Sequence, residues 1–305
     1  MLKRFLDCNR SDLEAMTKAE LLTAIRASEG RIIVSEVIGA FQPLLQNISN
    51  AELACAFGAD ILLLNMFDLN APVFYGLTEP SPTGIIKELK RLTGRIIGVN
   101  LEPVEEGASA LQTVPLSEGR RASAATARLA CEMGADLVVL TGNPATAVSN
   151  RAIVKAIREI RASVGERLLI AAGKMHAAGV LTELGEDIIG PEELRQFREA
   201  GADIILLPAP GTVPGITLET VREMVRSVHR LGGLTMTAIG TSQEGADEQT
   251  IRQIALLCKM SGTDLHHLGD AGFPGIAAPE NIMSYSIAIR GKRHTYARMA
   301  RSVNR

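Results

Sequence analysis

The sequence predicts one (β/α)₈ TIM barrel with an additional N-terminal helix, and three observations carry that prediction. A segment that closes a helix and opens a strand recurs as FGADILLL from Phe57, MGADLVVL from Met133, AGADIILL from Ala200 and, in weaker form, SGTDLHHL from Ser261. A second style of apolar run precedes each of these: GRIIVSE from Gly30, GRIIGVNLE from Gly94, ERLLIAAGK from Glu166 and GLTMTAIGT from Gly233. Connections are short from helix to strand but long and rich in proline and glycine from strand to helix. Such βα units in unbroken order, with a quarter-barrel rhythm, favour a closed barrel. An open doubly wound sheet should show more polar edge strands.

The elements follow in order. Residues 11–28 have helical periodicity ahead of the first strand, and residues 1–29 form a helical extension. Within the barrel, residues 30–276, helical patterns at 49–58, 84–93, 119–134, 149–164, 191–201, 217–231 and 247–261 separate the strand candidates. In the GAD segments glycine tolerates the left-handed cap that ends a helix, and the β-branched run behind it has the length of a buried strand. A last helix at 279–300 lies in the basic segment 277–305, which carries Arg290, Lys292, Arg293, His294, Arg298, Arg301 and Arg305. That run reads as a solvated helix or a contact in a homo-oligomer. The whole chain, 1–305, is expected to be one domain.

With 46% hydrophobic and 22% charged residues and a net charge of −2, the chain can build a full core but lacks the basic excess of nucleic-acid binders. No stretch approaches the roughly 20 apolar residues of a spanning helix, and the first residues, MLKRFLDCNRSDLEAM, hold no sustained apolar run. A cytoplasmic protein without a membrane partner is therefore expected. Cys8, Cys55, Cys131 and Cys258 form no CxxC or metal-ligand spacing, and the last three fit helix faces turned toward a sheet.

Barrel active sites lie where strands end, so the long connections at 66–83, 101–118 and 175–190 are expected to cover the mouth. Phe67, Phe74 and Tyr75 in the first of these either pack over a ligand or pack on the barrel rim. Side chains alternate along a strand. Aligning the odd strands at their first residues puts Glu36, Asn100, Glu102, Lys174, Thr235, Thr237 and Thr241 on one parity. Aligning the even strands on Asp60, Asp136, Asp203 and Asp264 collects Asn65, Thr141, Asn143 and His267. Polar groups under a helix layer are costly unless paired, so these residues are assigned to the interior. Thr235 and Thr237, deep in their strand, suit an internal hydrogen-bond network better than a ligand.

Lys174, Glu102, Glu36 and His267 are the candidate catalytic groups. Lys174 can serve as a cation, an acid or base, or a Schiff-base nucleophile, provided it points inward. Asn65, Asn100, Thr141, Asn143 and His176 are candidate substrate contacts. His266 faces away from His267 and reads as a satisfied buried histidine. Gly240, Thr241, Ser242, Gly269 and Gly272, in the loops after strands seven and eight, suit a backbone seat for a small-molecule anion. Asp270 would repel a phosphate there unless a metal intervened. No HxH or HExxH is present. The metal ligands are unknown: magnesium or another divalent cation on Glu36, Glu102, Asp68 or Asp270 is compatible with the sequence and not demonstrated by it.

The stretch GTSQEGADEQTIRQIALLCKMSGTDLHHLGDAGFPG resembles a family of uncharacterised bacterial barrels that carry transferred labels such as phosphoenolpyruvate phosphonomutase or haloacid dehalogenase-like hydrolase. The resemblance covers the last two βα units and implies a TIM barrel similar to those that bind phosphate. The acidic DADxGxG loop and the lysine-cysteine-glycine-histidine motif of the phosphonomutase and isocitrate lyase families are absent, as is the dehalogenase DxD. Three functions stay open. The first is a lyase or isomerase acting on a small phosphorylated or carboxylated metabolite. The second is a metal-assisted hydrolase or carbon–carbon cleaving enzyme, and the third a barrel that binds a metabolite without turning it over.

Overall fold

The computed structural model describes residues 3–78, 81–104 and 116–305. Strands β1 (Ile32–Ile38), β2 (Ile61–Asn65), β3 (Ile96–Leu101), β4 (Leu137–Leu140), β5 (Leu169–Gly173), β6 (Ile204–Pro208), β7 (Leu234–Ile239) and β8 (Leu265–Leu268) close in sequence order into a parallel barrel. Outside them lie α3 (Asn50–Ala56), α4 (Ile85–Thr93), α5 (Ala124–Met133), α6 (Asn150–Val164), α7 (Pro191–Ala200), α8 (Leu218–Arg230), α9 (Glu248–Ser261) and α10 (Pro279–Met299). The expected (β/α)₈ barrel is therefore the observed fold.

The expected N-terminal helix is two helices, α1 (Arg10–Ala15) and α2 (Lys18–Arg26). Thr17 breaks the run because its side chain caps α2, accepting from the Glu20 backbone N–H while the Glu20 carboxylate accepts from Thr17 N. Phe5, Cys8, Leu13, Leu21, Ala24 and Ile25 of this extension join the barrel-interior cluster with Ile32, Ile96 and Leu234, so the extension plugs the bottom of the barrel. α5 starts at Ala124 rather than near residue 119, since Ser123 caps it by accepting from Thr126 N. α10 is interrupted at Gly291, whose φ of 71° and ψ of 168° leave the helical region.

The recurrent aspartates knit the bottom of the sheet. Asp60, Asp136, Asp203 and Asp264 each accept, through Oδ2, from the backbone N–H of the second residue of the preceding odd strand. The donors are Ile33 (2.8 Å), Ile97 (2.9 Å), Ile170 (2.8 Å) and Thr235 (2.8 Å). Each also meets a basic side chain: Arg290 and Arg298 at Asp60, Lys90 at Asp136, Arg161 and Lys18 at Asp203, and the His229 ring at Asp264. The repeated GAD is thus a strand-pairing device as well as a helix stop. This corrects the reading of the basic C-terminus as a purely solvated or subunit-contacting surface. Arg290 and Arg298 are buried against Asp60, and Arg301 donates to the backbone oxygens of Asp7 and Cys8.

Interior and exterior parities separate cleanly. Ile32, Val34, Ile61, Leu63, Ile96, Leu137, Val139, Leu169, Ala171, Ile204, Leu206, Met236 and Leu265 fill the barrel. Ile33, Leu62, Ile97, Val138, Ile170, Ile205 and Leu268 pack beneath the helices. No helix among the described residues is long and apolar enough to cross a membrane. All the cysteines are free, Cys131 half-buried and the others buried.

Candidate active site

Strain marks the C-terminal face. Six of the seven non-glycine residues with positive φ among those described, Met66, Ala145, Ala147, Ala178, Ser242 and Ala271, lie in loops that follow strands. Conformations of this kind cost energy and collect at functional sites. A cavity of about 440 Å³ opens on the same face.

Its floor is built from inward positions at the strand ends. Glu36 comes from β1, Asn65 from β2, Asn100 from β3 and Thr141 from the residue after β4. The asparagines interlock. Asn65 and Asn143 exchange amide hydrogen bonds of 2.9 and 3.1 Å, and Asn100 Nδ2 donates to Asn65 Oδ1 at 3.0 Å. Asn65 Nδ2 also donates to Asp270 Oδ2 at 2.8 Å, tying the loop after β8 to the floor. Asn100 Oδ1 is left without a partner.

Acidic groups crowd this floor. Glu36 is buried, and burial, followed by the nearby Asp270 and Glu102, holds its carboxyl well above the usual range. Glu244, in the 3₁₀ turn Gln243–Gly245 after β7, is buried too. Burial, with the neighbouring Glu36 and Asp270, pushes it up to about 7. Its Oε1 accepts from Ala271 N at 3.1 Å, whereas Oε2 has no partner. Beneath them His267 Nε2 lies 3.0 Å from Glu36 Oε2, although the ring orientation gives neither nitrogen a hydrogen bond. Burial lowers His267 to about 4, so a neutral imidazole sits under a carboxyl that favours its proton.

Glu102, just past β3, is engaged. Arg120 NH2 reaches its Oε1 at 2.5 Å and Asn143 N reaches its Oε2 at 3.1 Å. Arg120 itself lines the cavity, and its Nε–H is unpartnered.

His176, Gly240, Ser242, Gly269, Gly272 and Asp270 line the cavity as well. Gly240 and Gly269 are crowded by protein atoms, whereas Gly272 faces open space. A Cβ on Gly240 would lie 1.9 Å from the Met175 sulfur, and one on Gly269 3.0 Å from Glu244 Oε1. His176 Nδ1 accepts from Ala178 N at 3.0 Å, and burial, then Lys174, lowers the ring to about 4.

Three expected site residues point elsewhere. Lys174 shares the outward parity of Ile170 and Ala172, while Leu169, Ala171 and Met175 face in. Its Nζ pairs with Glu183, whose carboxylate also accepts from Asn150 N at the start of α6. Thr241 turns away to donate to Thr212 O at 3.0 Å. Asp68 Oδ1 accepts from Asn70 N and Ala71 N at 2.8 and 3.1 Å, which occupies it in a turn. Thr235 and Thr237 are outward too: Thr235 Oγ1 donates to Asp264 at 3.0 Å, and Thr237 sits beside Cys258 and Tyr285.

The parity error on β5 and β7 has a physical origin. The backbone landmarks before the odd strands are left-handed glycines, Gly30, Gly94, Gly165 and Gly232, with φ of 64°, 62°, 56° and 74°. Counting from Glu166 and Gly233 instead starts one residue late on β5 and β7.

His266 is the satisfied buried histidine expected, bonded to Tyr285 Oη and Gly30 O at 3.0 Å each. Phe67 and Phe74 pack in the sheet–helix core, so the rim reading of that loop holds for them. The expectation that 101–118 covers the mouth falls mainly on 105–115, and that for 66–83 partly on 79–80; both stretches lie outside the described residues.

Glu244, Arg120 and the apolar groups Phe41, Met66, Met175 and Phe273 were missed. Met175 was lost to the shifted origin on β5, and the others stand in turns and loops that have no period from which orientation can be counted. Among the described residues no three His, Cys, Asp or Glu side chains are arranged to hold a metal ion.

Over residues 6–305 the chain belongs to the family described as Domain of unknown function (DUF7916). No curated protein matches its sequence. Solved structures with similar backbones include 2,3-dimethylmalate lyase, a PEP mutase/isocitrate lyase superfamily member, at 14% identity over 84% of this chain and 82% of that one, TM-score 0.50. Thiamine phosphate pyrophosphorylase from Pyrococcus furiosus aligns at 14% identity over 86% and 97%, TM-score 0.48. The YdjI aldolase from Escherichia coli K12 aligns at 9% over 91% and 94%, TM-score 0.49. At these identities the likeness is one of fold.

Proposed function

We propose that this barrel is an acid–base enzyme, a lyase or isomerase that moves a proton on a small oxygenated metabolite held at the mouth. The observation that carries this reading is a pair of buried carboxyl groups, Glu36 and Glu244, both raised and both on one cavity of about 440 Å³. Glu244, at about 7, is poised to give or take a proton at neutral pH, and its free Oε2 is the atom to do so. Glu36 is the protonated partner that donates to a substrate oxygen, with His267 behind it. Asn100 Oδ1 accepts from a substrate hydroxyl, and the Arg120 Nε–H is available to one carboxylate.

Glu244 and Asp270 stand on the loops where a phosphate was expected. Carboxylated or uncharged metabolites are therefore favoured over phosphorylated ones. A Schiff-base mechanism is not part of the proposal, because Lys174 is paired with Glu183 outside the barrel interior.

The test is a thermal-shift screen of hydroxy acids, oxo acids, polyols and their phosphates, with magnesium and with chelator. Product analysis by NMR in deuterated water follows on each hit. Turnover or deuterium incorporation is expected, with Glu244→Gln lowering its rate by about 100- to 10,000-fold while affinity changes little. Ligands that bind and return unchanged, without deuterium, would make the barrel a binding protein.

A further inference from the structure

The cavity has two unlike sides. Facing β3, β4, β5 and β7, its wall carries the polar groups Arg120, Asn143, His176 and Glu244, with Pro144 and Met175 between them. Facing β8, β1 and β2, the outer rim above Asp270 is apolar: Phe273, Phe41 and Met66 come from three separate loops onto one arc. Phe273 is 94% exposed and Met66 37%. The Phe41 and Phe273 rings lie 6.4 Å apart at 47°.

Single exposed apolar residues are common and need no explanation. This arc differs because it continues a cavity whose floor is polar, and because the backbone holds Phe273 in place. Gly275 N donates to Gly272 O at 2.9 Å, closing a tight turn with Phe273 near its tip. One side of that turn is tied by Gly272 N to Asp270 Oδ1 at 2.7 Å, the other by Ile38 N to Gly275 O at 2.9 Å. Displaying an aromatic ring on a tethered turn gives the fold no burial in return. A ligand that covers the ring supplies it.

Resting on the acid–base reading of the same site, we infer that the substrate carries an apolar arm, aryl or branched alkyl, beside its polar reacting end. The arm lies toward β8, β1 and β2, and Phe273 covers it. A cavity of about 440 Å³ falls in the range that encloses ligands of about 300–1,000 Å³ sites, more than a bare three-carbon acid requires. The polar head then meets Glu36, Glu244 and the asparagines, and the arm removes the rim from water.

Matched probes separate head from arm: lactate against 3-phenyllactate, and lactamide against 3-phenyllactamide, titrated into the full chain by calorimetry or ligand-observed NMR. The phenyl member of at least one pair is expected to bind about tenfold or more tightly than its methyl partner. Phe273→Ala should bring it back to the level of the short member, with Phe273→Leu intermediate. Equal affinity within both pairs, absence of binding by either phenyl compound, or a preference unchanged in Phe273→Ala overturns the inference. So does a fall in mass of Phe273→Ala by sedimentation velocity, which would assign the ring to contact between copies of the chain. Phenyl preference without turnover would sink the enzymatic reading and leave this one standing.

Discussion

The two ends of the barrel use carboxylates in opposite ways. At the bottom, Asp60, Asp136, Asp203 and Asp264 each face a basic side chain and a backbone N–H, so every carboxylate has its partners. At the mouth, Glu36 and Glu244 are raised by burial, with the nearby Asp270 adding to both, and Glu244 Oε2, Asn100 Oδ1 and both His267 nitrogens lack hydrogen bonds. Arg120, which lines the same cavity, is paired with Glu102. One end contributes stability to the fold, and the other draws on it to keep reactive groups unsatisfied.

The contrast breaks most severely if the bottom proves dispensable. Asp60→Ala leaves Arg290 and Arg298 buried without their counter-charge and strands Ile33 N, and should cost about 3–5 kcal/mol in urea unfolding. Should that variant not fold, Asp136→Asn offers a gentler form, since Lys90 keeps a quarter of its side chain in solvent. A loss under about 1 kcal/mol in both would show that the pairing is decorative.

The mouth predicts a pH signature of the opposite sign to ordinary acid denaturation. Glu244 titrates at about 7 in the fold against 4.5 ordinarily, so between those values the native state holds a proton that the unfolded chain has released. Stability from this group is full below about 4.5 and is lost as pH rises through 7. The loss between pH 5 and pH 8 is about 2–3 kcal/mol. Glu244→Gln should lack that decline when both proteins are unfolded at the two pH values, and parallel profiles would mean the carboxyl is not held out of its usual range.

Smallest is the effect expected at Lys174. Lys174→Met should lower stability by about 1–2 kcal/mol through the loss of its pair with Glu183, yet leave binding or turnover of any ligand found within about twofold. Borohydride trapping with carbonyl ligands should leave Lys174 unmodified. A large loss of turnover would return the lysine to the chemistry.

The fold was legible because its marks are local: a left-handed glycine, an aspartate two residues on and a short strand-length run recur at each quarter. Much of the site followed from alternation, which turned Glu36, Asn65, Asn100, Asn143 and His267 inward as observed. Alternation needs a correct origin, and the glycines before β5 and β7 shift that origin by one, sending Lys174 and Thr241 outward. Glu244 and Arg120 lie beyond this reasoning altogether, since a 3₁₀ turn and the stretch ahead of α5 orient side chains by tertiary contact. The resemblance at the last two units agreed with the barrel and did not carry chemistry with it.

Glu244 carries one more consequence. A ligand that prefers either form of a carboxyl poised near neutrality must take up or release part of a proton as it binds. The heat of binding will then include the ionisation heat of whatever buffer exchanges that proton, and titrations in phosphate and in Tris should disagree by an amount proportional to the fraction transferred. Affinity at the mouth becomes a property shared between ligand and surrounding acidity, changing by up to about tenfold over one pH unit.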